Sequence, residues 1–264
     1  MEYTEKLSTL QVQAYLRKLE IREPVRTDLR DLNILLLAQL THIPFDSLDV
    51  WATGACPSLS LDDLYHKIIE NHRGGYCFEL NTLFRSLLNS LGFAAYQAIA
   101  YILNPDGTQQ PPAHNVILCE LSGKKYFCDV GYGGPVPYVA LELKEGIQDG
   151  FQLSKCLDTW YVYRVMDSGT RPLTAFRDVP AAINDLIPLN YYISQRPDIH
   201  FRHVIHLSRR NLDGSIFSID GKEFKTHTRE GTKTQQPNTI DDLKIVIRDY
   251  FDMDPESIPL REAL

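Results

Sequence analysis

No C-x-x-C pair occurs among the five cysteines, Cys56, Cys77, Cys119, Cys128 and Cys156, and their count is odd. That spacing argues against a disulfide framework, and it predicts reduced thiols, most of them small buried hydrophobes. Basic excess is missing too. A formal net charge of -7 and a pI near 5.6 offer no cationic surface for nucleic acid or anionic lipid. No apolar run approaches a membrane span, and the opening residues MEYTEKLSTLQ are polar and mixed in charge. The expectation is a cytoplasmic protein with neither nucleic-acid nor membrane partners. Repeats, low-complexity tracts and long linkers are also lacking, so 264 residues predict one globular unit with two or three sub-domains.

What is present changes character along the chain. LSTLQVQAYLRKLEI and TDLRDLNILLLAQL carry apolar residues at helical spacing, the second stopping near Pro44. SLDDLYHKIIENH opens with Ser60 and Asp63 at capping-box positions. From Leu80 the apolar positions run Leu83, Phe84, Leu87, Leu88 and Leu91, with Gly92 placed to end the helix. Beyond Gly92 the pattern turns to strands: FAAYQAIAYIL, HNVILCEL, KKYFCDVGYG and TWYVYRVMD. AAINDLIPLNYYIS reads as a linking helix, and residues 200–231 as a meander with Asp-Gly turns at 213–214 and 220–221. A last helix is capped by Thr239 and Asp242. Helices, then strands, then a small mixed segment make an α+β plan.

One stretch, HRGGYCFELN at 72–81, sets Cys77 directly after Arg-Gly-Gly-Tyr and three residues before Leu80. The thiol therefore falls on the inward stripe, in the first helical turn. Unpaired N–H groups and the positive end of the helix dipole stabilise a thiolate there. Glycines allow close approach to the backbone, and its N–H groups suit a developing oxyanion. On position alone two readings stand, a packed thiol and a nucleophile.

A thiolate nucleophile needs an imidazole oriented by a third group. His114 begins the hairpin HNVILCELSGKKYFCDVGYG. With Ser122-Gly123 as a two-residue turn, Val116 faces Asp129, and side chains two apart share a face. His114 and Asp129 are then diagonal neighbours, roughly 7–8 Å apart at the backbone. A four-residue turn keeps that parity and a three-residue turn destroys it. Taken singly, His114 also reads as a loop histidine and Asp129 as a strand-end residue. Together with Cys77 they follow the order of a papain-like thiol triad. His200, His203 and His206 form H-x2-H-x2-H, but as strand residues they alternate faces, and no cysteine or carboxylate sits among them at ligand spacing, so no metal is assigned. Cys119 and Cys128, on neighbouring strands, are read as packing. VGYGG at 130–134 lacks dinucleotide or Walker spacing.

These residues resemble the arylamine N-acetyltransferases. Arg73-Gly74-Gly75-Tyr76-Cys77-Phe78-Glu79-Leu80-Asn81 is similar to that family's RGGxCxExN signature, and IPFDSLDV (43–50) to its IPFENLDV-type segment. His114-Asn115-Val116 with Asp129-Val130-Gly131-Tyr132-Gly133, and NYYISQRPDIHF (190–201), resemble two further stretches in the same order. The resemblance implies an N-terminal helical bundle (1–92) carrying the cysteine and a β-barrel with linking helix (93–200) carrying His and Asp. A C-terminal α/β lid (201–264) completes it.

It also implies ping-pong transfer of an acyl group, usually acetyl from acetyl-CoA, through Cys77 to an aromatic amine, hydroxylamine or hydrazine, without a metal. His114 would move the proton and Asp129 would hold the ring. Phe45 and Tyr132 would line the acceptor pocket, and Gly133 and Tyr192 would lie near CoA. Ala113 and Asp198 depart from the family pattern, the second placing a carboxylate near a polyanion. An amide synthase or a thiol protease using the same triad, and a non-catalytic binding module on the same fold, are the competing readings.

Overall fold

The computed structural model describes residues 6–22, 24–258 and 260. Helix α1 (Thr9–Lys18) starts from a full capping box: Ser8 Oγ accepts from the Gln11 N–H and the Gln11 side chain accepts from the Ser8 N–H. Helix α2 (Leu29–His42) is capped by Asp28 and gives way to extended backbone at Ile43, where the following proline disfavours helical geometry. Strand β1 (Phe45–Asp46) and helix α3 (Leu48–Thr53) come next. Ser60 caps α4 (Leu61–Tyr65) as expected, but Asp63 accepts from the hydroxyls of Ser58 and Ser60, so only half of the box forms. After α4 the helix widens into a π-helical turn, His66–Glu70, that the apolar stripe does not signal. Lys67 lies in that turn, 2.7 Å from Asp49 and 2.7 Å from Glu79.

Helix α5 (Cys77–Ser90) is buried on every side, polar Glu79, Asn81, Thr82, Arg85 and Ser86 included. The sequence shows a single inward stripe. The opposite face is covered because a barrel packs on it, and its polar side chains find partners there, as where Gln97 Nε2 donates to Thr82 Oγ1 at 2.9 Å.

That barrel is antiparallel and nearly closed. Its strands are β2 (Ala94–Ile102), β3 (His114–Leu121), β4 (Lys124–Cys128), β5 (Leu141–Glu142), β6 (Gly146–Gln148), β7 (Phe151–Cys156), β8 (Thr159–Met166) and β9 (Gly169–Arg177), in spatial order β5-β4-β3-β2-β9-β8-β7-β6. The Gln148 side chain spans the remaining edge, accepting from the Glu142 N–H and donating to the Glu142 carbonyl, both at 2.9 Å. Val116, Leu118, Phe127, Leu153, Val162 and Phe176 fill the interior at period two. Ile117, Cys119 and Cys128 face α5 instead. Both thiols are buried, and burial pushes Cys119 up to about 12 and Cys128 well above the usual thiol range, in keeping with packing roles. β7 and β9 carry no clear sequence signal; β9 holds Pro172 where its pairing with β8 slips register.

Helix α6 (Ile183–Gln195) links the barrel to a short helix α7 (His200–His203), where the sequence predicts strand. A five-stranded sheet follows, with β10 (His206–Arg210), β11 (Ile216–Asp220), β12 (Glu223–Thr228) and β13 (Gly231–Gln235) in order β1-β10-β11-β12-β13. Its edge strand β1 comes from the N-terminal region, Phe45 pairing with Ser208. Helix α8 (Ile240–Phe251), capped by Thr239 and Asp242, packs on the sheet through Leu243, Ile247 and Phe251. The whole is an α+β fold of helices, barrel and terminal sheet with helix. Among the described residues no helix is long and apolar enough to cross a membrane.

Candidate active site

Cys77 is the first residue of α5, 4% exposed, with Gly74-Gly75 just before it. The glycines serve a close approach, but by the chain itself. A Cβ on Gly74 would lie 2.3 Å from the Pro44 carbonyl oxygen, and Gly75 bridges Phe45, its carbonyl accepting from the Asp46 N–H at 2.9 Å. The helix start is thereby tied to β1. Glu79 completes it by accepting from the Tyr76 N–H at 3.0 Å.

Charge fixes the same turn. Buried Arg73 donates to Asp46 Oδ2 from Nε (3.1 Å) and Nη2 (2.8 Å), and Nη2 also reaches Asp49 Oδ1 at 2.8 Å. Lys67 joins Asp49 to Glu79. Burial alone would raise Asp49, yet Lys67 and Arg73 outweigh it and hold the carboxyl down at about 2. Paired this way, buried Asp46, Arg73 and Glu79 and half-buried Asp49 and Lys67 lock β1, α3, the π turn and the start of α5 into one frame. The sequence offers no spacing that joins residues 46, 49, 67, 73 and 79.

The hairpin supplies the other two groups. Leu121 pairs with Lys124 around Ser122 (φ 51) and Gly123 (φ 77), a two-residue turn with both central residues left-handed. Pairing runs to Ile117 opposite Cys128, one step short of Val116 and Asp129. His114 and Asp129 thus share a face, and His114 Nε2 lies 2.7 Å from Asp129 Oδ2, with side chains 2% and 1% exposed. Burial works against charge on the ring, but Asp129, by charge and then by hydrogen bond, and next the Cys77 thiol as hydrogen-bond partner push His114 up to about 10. With Nε2 taken by Asp129, Nδ1 is left for the thiol. Cys77 Sγ also donates to the Ala113 carbonyl at 3.8 Å.

Asn81, one turn along α5, holds this assembly together. Its Nδ2 donates to Asn115 O (2.7 Å) and Asp129 Oδ1 (3.1 Å), and its Oδ1 accepts from the Val130 N–H at 3.0 Å. The Gly131 N–H also donates to Asp129 Oδ1, at 2.8 Å. Gly131 must be glycine: a Cβ there would lie 2.6 Å from Cys77 Cα.

Beside these groups opens a cleft of about 930 Å³ between barrel, α6–α7 and terminal sheet, with Ala113, Tyr132, Gly133 and Tyr192 in its wall. Phe45 is buried beneath Gly133, its ring against His206 (centroids 5.2 Å apart) and Phe201 (5.9 Å). Tyr192 and Asp198 share Arg196: the guanidinium contacts the Tyr192 hydroxyl, and its Nε donates to Asp198 Oδ1 at 2.6 Å. The carboxylate at 198 is therefore neutralised by its neighbour. Of the three spaced histidines, His200 and His206 lie 3.4 and 3.8 Å from Asp220, and His203 turns to the Pro197 carbonyl. Among the described residues no group of three His, Cys, Asp or Glu side chains is set to hold a metal ion. The cleft wall carries five cations, Arg164, Arg171, Arg196, Lys225 and Arg229; Arg196 is paired with Asp198 and Lys225 with Glu223, which leaves three against the carboxylate of Asp220, a local cationic excess in an acidic protein.

A family model described as N-acetyltransferase matches residues 28–258, a span that takes in all of these groups. The arylamine N-acetyltransferase / N-hydroxyarylamine O-acetyltransferase of Salmonella typhimurium is 28% identical over 218 residues, 80% of this chain and 76% of that protein. The solved structure of the Salmonella typhimurium arylamine N-acetyltransferase superposes with a TM-score of 0.87 at 23% identity, covering 94% of this chain and 93% of that one. That of Mycobacterium marinum arylamine N-acetyltransferase in complex with CoA gives 0.86 at 23% identity, covering 93% and 94%. The family match runs from α2 past α8, and on that ground this chain belongs to the arylamine N-acetyltransferase family.

Proposed function

We propose that the protein transfers an acetyl group from acetyl-CoA to an aromatic amine, hydroxylamine or hydrazine, with Cys77 as nucleophile, His114 as proton carrier and Asp129 as its orienting partner. The carrying observation is the placement of the His114–Asp129 pair at the thiol of the first turn of α5, beside a cationic cleft. The relative solved with CoA supports the choice of donor.

The geometry supports the following steps. The Cys77 sulfur adds to the thioester carbonyl carbon, and the bond from that carbon to the CoA sulfur breaks. CoA leaves with the proton carried by His114, and the acetyl group stays on Cys77. The amine nitrogen then attacks, forming the C–N bond as the C–S bond to Cys77 breaks. His114 takes the amine proton, which returns the ring to its charged form and leaves the Cys77 sulfur ready for the next donor. A ring that holds its proton up to about 10 is charged at neutral pH and suits the first step. Tyr132 and Phe45 are assigned to the acceptor side, Gly133 and Tyr192 to the donor side.

Intact-mass measurement after mixing with acetyl-CoA and no amine tests the reading. One acetyl adduct on Cys77, with one equivalent of CoA released, is the expected result. An unmodified protein that still acetylates an amine would replace the two-step route with direct transfer.

A further inference from the structure

Arg164 on β8 and Arg171 on β9 are directly opposite one another in the barrel ladder, and both line the cleft. Like charges facing across a strand pair destabilise it, and among the described residues neither arginine forms an ion pair that would relieve the repulsion. A third guanidinium stands close by: Arg210 of β10, stacked 4.3 Å from the Tyr138 ring, lines a small pocket that shares Gly134 and Ser208 with the cleft, and it feels Arg164 as a like charge and Asp213 as an opposite one. Two elements from the barrel and one from the terminal sheet thus bring three cations together, and among the described residues Arg164 and Arg171 have no ion-pair partner.

We infer that Arg164, Arg171 and Arg210 form the subsite that reads the phosphates of the acyl donor, a deepening that rests on the acyl-transfer reading above. Distance decides between this and a carboxylate on the acceptor. Ala100 pairs with His114 on one side and with Phe176 on the other. Five residues of strand at ~3.3 Å and two strand spacings of ~4.8 Å separate the His114 and Arg171 Cα atoms by roughly 19 Å. Side-chain reach on both ends brings the functional groups to on the order of 10–15 Å. A pantetheine arm extended at ~3.5 Å per three bonds spans roughly 15 Å from sulfur to first phosphate. A carboxylate across one benzene ring from an amine spans less than half of that, too short to meet the arginines while its nitrogen attacks at Cys77. Three guanidinium groups also match the several charges of a diphosphate better than one carboxylate.

The test compares two donors that share the arm and differ in phosphate, acetyl-CoA and S-acetylpantetheine, in the first half-reaction. In the Arg164→Gln/Arg171→Gln double variant the preference for acetyl-CoA should fall at least ~10-fold, and its decline with added salt should flatten. Arg210→Gln should lower the preference in the same direction, and Arg→Lys variants should recover part of it. Titration of CoA into the same double variant carrying Cys77→Ser should show weaker binding by a similar factor, a readout independent of turnover. An unchanged donor preference in the double variant overturns the subsite, as does a loss confined to the KM of a carboxylated arylamine. If neither donor acetylates Cys77 in the unaltered protein, the acyl-transfer reading fails instead, so the two failures are distinct.

Discussion

His114 Nε2 and Asp129 Oδ2 are 2.7 Å apart, both nearly sealed from water, although fifteen positions separate them in the chain. A two-residue turn brings them together, and the pairing of β3 with β4 decides that they meet on one face. Asp129 has little freedom to leave: Asn81 and the Gly131 N–H hold its other oxygen. The ring therefore has one orientation, with its remaining nitrogen directed to the thiol side, and that fixed orientation is what general acid–base transfer requires.

Substituting Cys77 by Ser should abolish acetyl transfer while leaving the fold intact, because a hydroxyl lacks the nucleophilicity of a thiolate. Cys119→Ala and Cys128→Ala remove buried sulfur and should cost stability on the order of 1 kcal/mol while turnover stays within a few-fold. Cys56→Ala and Cys156→Ala, at exposed positions, should leave both nearly untouched. Steady-state rates and thermal melts on the five variants check this. Activity surviving in Cys77→Ser and vanishing in one of the others would move the nucleophile elsewhere.

Asn81→Ala should slow acylation roughly 10- to 100-fold through misplacement of Asp129 and the ring it orients. The Val130 N–H would lose its acceptor as well, at a cost of about 1–3 kcal/mol in stability. Asn81→Asp separates the two effects: it keeps an acceptor for Val130 but sets a second carboxylate beside Asp129. Its melting temperature should recover more than its acylation rate does. Parallel recovery of both would make Asn81 a purely structural residue.

The element order and the hairpin were legible because each rests on local chemistry: the Thr239 capping box, the proline after Ile43, and the left-handed pair at Ser122-Gly123. Asn81 was visible only as a letter in a motif, since its partners lie 34 and 48 residues away on another element. Full burial of α5 was equally hidden, because a helix period reports the first face to be covered and says nothing of a barrel arriving on the second. β1 was lost for its shortness, two residues whose partner strand comes 160 positions later, and the start of the expected meander, residues 200–203, gave way to α7. The cationic cleft is invisible to net charge, which sums over a surface and cannot show that Arg164 and Arg171 face each other.

Arg73→Ala should destabilise the protein by about 3–5 kcal/mol, because it leaves Asp46 buried without its counter-ion. Asp46 accepts from the Leu48 N–H as well, so its carboxylate cannot simply turn to solvent. Arg73→Lys retains charge but offers one point donor where a fork meets both Asp46 and Asp49, and should recover only part of the loss. Chemical denaturation measures each. A cost near zero for Arg73→Ala would mean that the network at the start of α5 is neutral to stability.

Stability should depend on pH through His114, and the sign is fixed by the direction of its shift. In the folded protein the ring keeps its proton up to about 10, whereas a histidine in an unfolded chain releases it near ~6.5. The folded state binds the extra proton between those values, so the contribution is fully present below ~6.5 and is lost as pH rises toward 10. The slope in that window is at most ~1.4 kcal/mol per pH unit. Asp129→Asn removes the charge that holds the proton and should flatten the decline, so the two stability curves converge at alkaline pH. The same variant should lose the imidazolium at lower pH than the wild type, and alkylation of Cys77 by iodoacetamide should then fall at neutral pH while the thiol remains in place. Denaturation curves at a series of pH values, with alkylation rates on the same samples, supply both readings. If Asp129→Asn shows the wild-type pH slope and the wild-type alkylation rate, Asp129 is a strand-end residue with no hold on the ring, and the assignment of the proton carrier loses its physical basis.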